Sequence, residues 1–143
     1  MTILLALAVV TSALPTVPGA VDPAVTQDNI QTTICVPGYA GAHRPEQKIT
    51  EPYKRKLLKG RPGKLGDFEL DHAIAISLGG ALFDPANLWL QKLRGKYGAL
   101  KKDRAERKLY ALVCKGKVTL IDAQHMLVAD WIGAYRRYVG PLK

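Results

Sequence analysis

The stretch Glu69-Leu70-Asp71-His72 places a carboxylate directly before a histidine. Metal-assisted phosphodiester cleavage uses that pairing. The carboxylate of Asp71 can hold a hard divalent cation. The His72 imidazole can take a proton from an attacking water near neutral pH, and the cation stabilises charge on the phosphate and the leaving oxygen. Taken alone, an Asp-His pair is as readily a hydrogen-bonded pair at a turn. Its surroundings favour the chemistry: Gly79-Gly80 follows, and Asn87-Leu88 comes 15 residues after the histidine. Asn87 itself reads both as an orienting group and as a turn residue after Asp84-Pro85. Adjacent side chains on a regular strand point to opposite faces. For Asp71 and His72 to reach one phosphate, the strand must end, twist or bulge there.

The elements that must position these groups are legible in outline. Thr26 caps a short helix expected over 27–33. Residues 35–39 read as a turn. Thr50-Glu51-Pro52 has the form of a helix start, predicting a helix to Lys59 that stops at Gly60. Residues 60–66 form a basic, glycine-rich loop, and 67–76 read as one or two short strands. A long helix is expected over 92–113, its start weakened by Gly95 and Gly98. Its apolar face is assigned to Leu93, Tyr97, Leu100, Leu109, Leu112 and Val113. A last helix over 120–139 begins at a capping Thr119 with Asp122 three residues on, with a stripe through Leu120, Ala123, Leu127, Trp131, Ala134 and Tyr138. Trp89, Trp131 and Tyr135 could stack on bases, although both tryptophans lie in core-like patterns.

The Asp71-His72, Gly79-Gly80 and Asn87-Leu88 order, followed by a helix, resembles the HNH (ββα-metal) nuclease family. The resemblance extends to a group of small exported bacterial proteins of that type. It rests there on residues 33–39 (Thr-Ile-Cys-Val-Pro-Gly-Tyr), Arg44-Pro45, Lys102-Asp103 with Glu106, residues 113–116 and Ala123-Gln124. It implies a metal ligand at Asp71, a general base at His72 and an orienting role for Asn87. It also implies a divalent metal cofactor, Mg2+ first, with Mn2+ or Zn2+ as alternatives. The family pattern closes with a histidine or asparagine on the helix as a further ligand. Neither is present here, and Asp103 or Glu106 could substitute, being three apart on one helix face.

Charge points to the partner. The chain carries 21 Lys and Arg against 12 Asp and Glu, a net +9. Residues 44–64 and 92–117 together hold 18 of those 21 cations, a concentration suited to phosphates. Lys54, Arg55, Lys64, Lys101, Lys102 and Arg104 are the candidate nucleic-acid contacts.

The N-terminal 20 residues carry no charged side chain, and 3–10 is an apolar run followed by small residues and two prolines. This reads as a secretory signal over 1–20, too short to span a bilayer, with cleavage expected after Ala13 or Ala20 and a domain over 21–143. Export favours a disulfide between Cys35 and Cys114 over two buried free thiols. The expected fold is therefore α+β, a small ββα unit among helices with one disulfide, in a secreted or periplasmic metal-dependent nuclease. The main rival is a noncatalytic exported nucleic-acid-binding protein. An envelope protein using its charge on anionic surfaces leaves Asp71-His72 without a role, and no serine or cysteine has an evident histidine partner for protease chemistry.

Overall fold

The computed structural model describes residues 13–143. The fold is α+β: a two-stranded antiparallel sheet set among helices, with a Cys35–Cys114 disulfide. The α-helices are α1 (Tyr39–His43), α2 (Gln47–Leu58), α3 (Ala99–Cys114) and α4 (Leu120–Tyr138); the strands are β1 (Phe68–His72) and β2 (Leu88–Lys92). Short 3-10 turns occupy Gln27–Thr32, Leu65–Asp67, Ile76–Leu78 and Pro85–Asn87. No helix among the described residues is long and apolar enough to cross a membrane.

Three local differences from the sequence reading have physical causes. Helix α2 begins at Gln47, with Glu46 rather than Thr50 at the N-cap position, and Pro52 lies inside it. The proline removes one backbone donor there. Helix α1 follows Gly38, whose φ of 84° turns the chain out of the Pro37 bend into a helix the sequence did not announce. Helix α3 starts at Ala99 and buries Ala99, Lys102, Ala105, Leu109 and Val113, while Leu100 is exposed. The stripe is thus rotated from the one read through the larger apolar residues.

The core forms where α3 and α4 pack together, with Leu109, Val113, Leu127, Trp131 and Tyr135 almost fully enclosed. Tyr135 and both tryptophans are therefore packing residues and not free stacking surfaces. The strands run in unbroken register from Phe68 opposite Lys92 to His72 opposite Leu88. One face, carrying Glu69, Asp71, Trp89 and Gln91, turns toward α3. The other, carrying Phe68, Leu70, His72 and Leu88, forms a cavity with α2.

The strands are joined by residues 73–87, wound tightly on themselves. Gly80 is required: a Cβ there would sit 1.8 Å from the Ile74 carbonyl oxygen. Gly79 takes a left-handed φ of 76° that an L side chain rarely adopts.

The run 3–10 lies outside the described residues, but the segment after it is part of the domain. Trp131 Nε1 donates to the Ala13 carbonyl at 3.0 Å, and Gly19 N donates to Ala86 O at 2.8 Å. Ala20 N donates to Asn87 Oδ1 at 3.3 Å, and Val21 bridges Gly80. Residues 13–20 thus contact the domain in this structure. A protein starting at Val21 should therefore melt about 4–8 °C below one starting at Ala13, read by thermal denaturation followed by circular dichroism. Equal melting of the two would show that these contacts contribute nothing.

Candidate metal centre and active site

Asp71 is buried on β1 and faces α3. Its Oδ2 accepts from Lys102 Nζ at 2.8 Å and from Trp89 Nε1 at 3.0 Å. Lys102 is wholly enclosed. Its ammonium also donates to the His72 carbonyl oxygen at 2.9 Å and to Glu106 Oε1. Three donors thus meet three acceptors. Burial pulls the lysine toward neutrality, but Asp71 and Glu106 outweigh it and hold the ammonium well above its usual range. This corrects the sequence reading of Lys102: a side chain with no exposure cannot touch nucleic acid.

Around this ammonium the carboxylates are in surplus. Single oxygens of Glu69, Asp71 and Asp103 lie within 4.8 Å of one another, a group that could hold a metal ion. Glu106 lines the same cavity of about 60 Å3, as do His72, Ser77 and Arg44. Burial, reinforced by Asp71, Asp103 and Glu106, pushes the Glu69 carboxyl up to about 7. Burial likewise raises Asp103, with Asp71 adding to it, and raises Glu106 against the pull of Lys102.

The donor set fits a hard cation. Lys102 and Trp89 both engage Asp71 Oδ2, and Asp71 lines the cavity. Glu69 and Asp103 are half-buried and joined to no cation by an ion pair among the described residues. Carboxylate oxygens suit Mg2+, Mn2+ or Ca2+. The absence of histidine and cysteine from the group argues against Zn2+.

His72 closes β1. Because the register is unbroken, its side chain points away from that of Asp71, with no bulge between them. The two meet because the strand ends there, so that both border the small cavity. His72 Nε2 lies 2.9 Å from the Leu82 carbonyl oxygen. A carbonyl only accepts, so Nε2 carries the proton and Nδ1 is the ring's acceptor. Burial lowers the imidazole from its ordinary value, only partly offset by the Leu82 bond and Asp71. The ring is thereby held neutral, as a base requires.

Asn87 has no exposure. Its Oδ1 accepts from Ile74 N at 2.8 Å, and its Nδ2 donates to Ile74 O and Ala81 O, each at 3.0 Å. It ties together residues 74 and 81, the latter directly before Leu82, and so acts on His72 indirectly.

The remaining predicted residues divide. Lys54 borders the cavity of about 380 Å3 between α2 and the sheet, which His72 and Glu69 also line. Arg55 pairs with Glu51 at 2.7 Å. Lys64 is exposed and Lys101 half-buried. Arg104 turns to α4, donating to the Tyr135 hydroxyl at 2.9 Å and packing over its ring.

Glu69 and Arg44 were not assigned to the site from sequence. Period-two alternation along β1, which places Glu69 beside Asp71, was the available signal for the first. Arg44 is exposed and borders every cavity that Glu69 borders, far from the motif in sequence. Compared with protein-family models, curated proteins and solved structures, the chain matches none.

Two measurements test the centre. Replacing Lys102 with methionine leaves buried carboxylates facing one another and should destabilise the fold by about 3–5 kcal/mol in urea titrations with EDTA; a loss below about 1 kcal/mol would remove the ammonium from this role. The second follows from Glu69. A carboxyl at about 7 folded against 4.5 ordinarily binds more protons folded than unfolded between those values. Its stabilising contribution is complete below pH 4.5 and lost as pH rises to 7. The melting temperature in EDTA should fall from pH 5 to pH 8, and millimolar Mg2+ should raise it more at pH 8 than at pH 5. A Mg2+ effect independent of pH would separate the ion from these carboxylates.

Proposed function

We propose that the chain is an exported, divalent-cation-dependent nuclease of the HNH (ββα-metal) kind, hydrolysing phosphodiester bonds in nucleic acid. The observation that carries the reading is a cluster of Glu69, Asp71 and Asp103 oxygens bordering the same cavity as a histidine whose Nε2–H is committed to Leu82.

Glu69, Asp71 and Asp103 would hold the ion, and Glu106 balances Lys102 beside them. A hard cation bound there supplies charge stabilisation for the phosphate and the leaving oxygen. His72 accepts at Nδ1 the proton of the water that attacks phosphorus, and the P–O bond to the leaving oxygen breaks. Arg44, at the mouth of the cavity, binds a non-bridging phosphate oxygen. Asn87 keeps the Leu82 carbonyl in place and with it the imidazole. The basic segments 44–64 and 92–117 attract the polyanion. The Cys35–Cys114 bridge suits an oxidising compartment, which supports export.

A second reading has one observation in its favour. Lys102 already sits among the carboxylates and satisfies Asp71 Oδ2, so the cluster could serve structure alone in a noncatalytic nucleic-acid-binding protein. Incubating the disulfide-bonded protein with plasmid DNA and with RNA, under Mg2+, Mn2+, Zn2+ or EDTA, separates the two. Cutting is expected with Mg2+ or Mn2+ and not in EDTA. Glu69→Gln should raise the cation concentration needed, and His72→Ala should slow cutting by about 10²–10⁴-fold. Folded wild type that binds nucleic acid but cuts with no cation establishes the noncatalytic reading.

A further inference from the structure

A second cavity, of about 510 Å3, lies beyond the proposed catalytic site. Arg61, Lys92, Arg94 and Lys96 border it, and no carboxylate does. All four cations are exposed, and none forms an ion pair with the described residues. Its floor is apolar, formed in part by Phe68 and by Tyr97, whose ring lies under the Lys96 ammonium at 5.7 Å.

Backbone geometry adds direction. Leu93 N donates to Asp67 O and Ala73 N to Asn87 O. In this register the pairs Glu69–Gln91 and Asp71–Trp89 therefore exchange the ladder bonds. The N–H and C=O of Leu90, which lines this cavity, point the other way, off the edge of β2 that faces away from β1. Phe68 lines both this cavity and the one containing His72, and the Arg61 guanidinium stands 5.6 Å over its ring. Phe68 is the residue that the two linings share, with Arg44 and Lys54 bordering the first cavity and the four cations the second.

We propose that the cavity beside β2 holds a nucleotide of a single-stranded polynucleotide, whose backbone passes Phe68 to the His72 site. This rests on the nuclease reading for what happens at His72, though not for binding itself. An apolar floor inside a ring of cations suits an unstacked base flanked by phosphates. In a duplex the bases are stacked and paired inside, and only phosphates would reach the rim. The absence of any carboxylate selects a polyanion over a peptide strand for the same edge.

The experiment is fluorescence anisotropy in EDTA with labelled oligothymidylates of about 4, 8, 12 and 20 nucleotides, an oligouridylate and a 20-base-pair duplex. Affinity should rise with length until both cavities are spanned and then level off, with the duplex binding at least tenfold more weakly than the single strand of equal length. Arg94→Glu with Lys96→Glu should weaken the long oligonucleotides at least tenfold. Arg94→Gln with Lys96→Gln should lower the slope of log affinity against log salt by about 1.4, for two phosphate contacts on a single strand. Unchanged melting temperatures establish that the variants fold. A wild-type protein that cuts under none of the cations but shows this pattern loses the nuclease reading and keeps the groove. Equal affinity for duplex and single strand, or affinity for the long oligonucleotides unchanged by the charge reversal, overturns the proposal.

Discussion

A single ammonium, enclosed without access to water, determines how this domain is put together. Lys102 takes its three acceptors from three places: the Asp71 carboxylate, the carbonyl of His72 and the Glu106 carboxylate. Trp89 on β2 adds its indole N–H to the same Asp71 oxygen. Both strands are thereby registered against α3 at one point. A buried charge is tolerated only when fully paired. A sheet of two strands has little intrinsic stability, and here its alignment on α3 is set by ion pairing as much as by apolar contact. Shifting β1 by one residue would turn Asp71 away from the ammonium and leave both charges stranded.

The loop between the strands is held by the same logic with neutral groups. Asn87 spends both halves of its amide on the backbone of residues 74 and 81. The packing of Gly80 against the Ile74 carbonyl makes that turn close enough for the amide to span. Leu82 follows directly, and its carbonyl fixes the His72 tautomer. Two polar side chains, each without exposure, thus position the cluster and the base from opposite sides: Lys102 by the His72 backbone and Asn87 by way of its ring.

Much of this was legible in the residues, and what was not has a definite cause. A strand within 67–76 and a long helix after it were readable, with Gly79-Gly80 and Asp84-Pro85 marking the turns between, whereas Leu88–Lys92 was not read as a strand. The capping of α4 by Thr119 appears as read, with its hydroxyl accepting from Asp122 N at 3.2 Å. The face of α3 was misphased because its buried stripe contains Ala99 and Ala105, which have little apolar weight, and a lysine. A lysine in a basic segment gives no local sign of burial; its enclosure depends on Asp71, 31 residues earlier. Glu69 was hidden for a related reason. Its neighbour Asp103 lies on another element, and only the packing of β1 on α3 brings their oxygens within reach.

The unbroken register of β1 carries a further consequence for chemistry. Asp71 and His72 occupy opposite faces of a thin sheet, so the carboxylates look toward α3 while the imidazole looks toward α2. A group on either face alone would see only half of the machinery. The two halves meet where β1 ends, beside Ser77 and Arg44. A phosphate entering there approaches from the open end of the strand and not across either face. That geometry explains why the polar groups bordering both cavities crowd around the last residues of β1. Arg44, on the short link between α1 and α2, and Arg107 on α3 are the cations that border this opening beside Glu69 and Asp103. Among the described residues Lys102 pairs with Asp71 and Glu106 alone, so the unpaired carboxyl groups of Glu69 and Asp103 face that opening. The fold thus leaves its unbalanced charge at the point where a cation and a phosphate would have to meet.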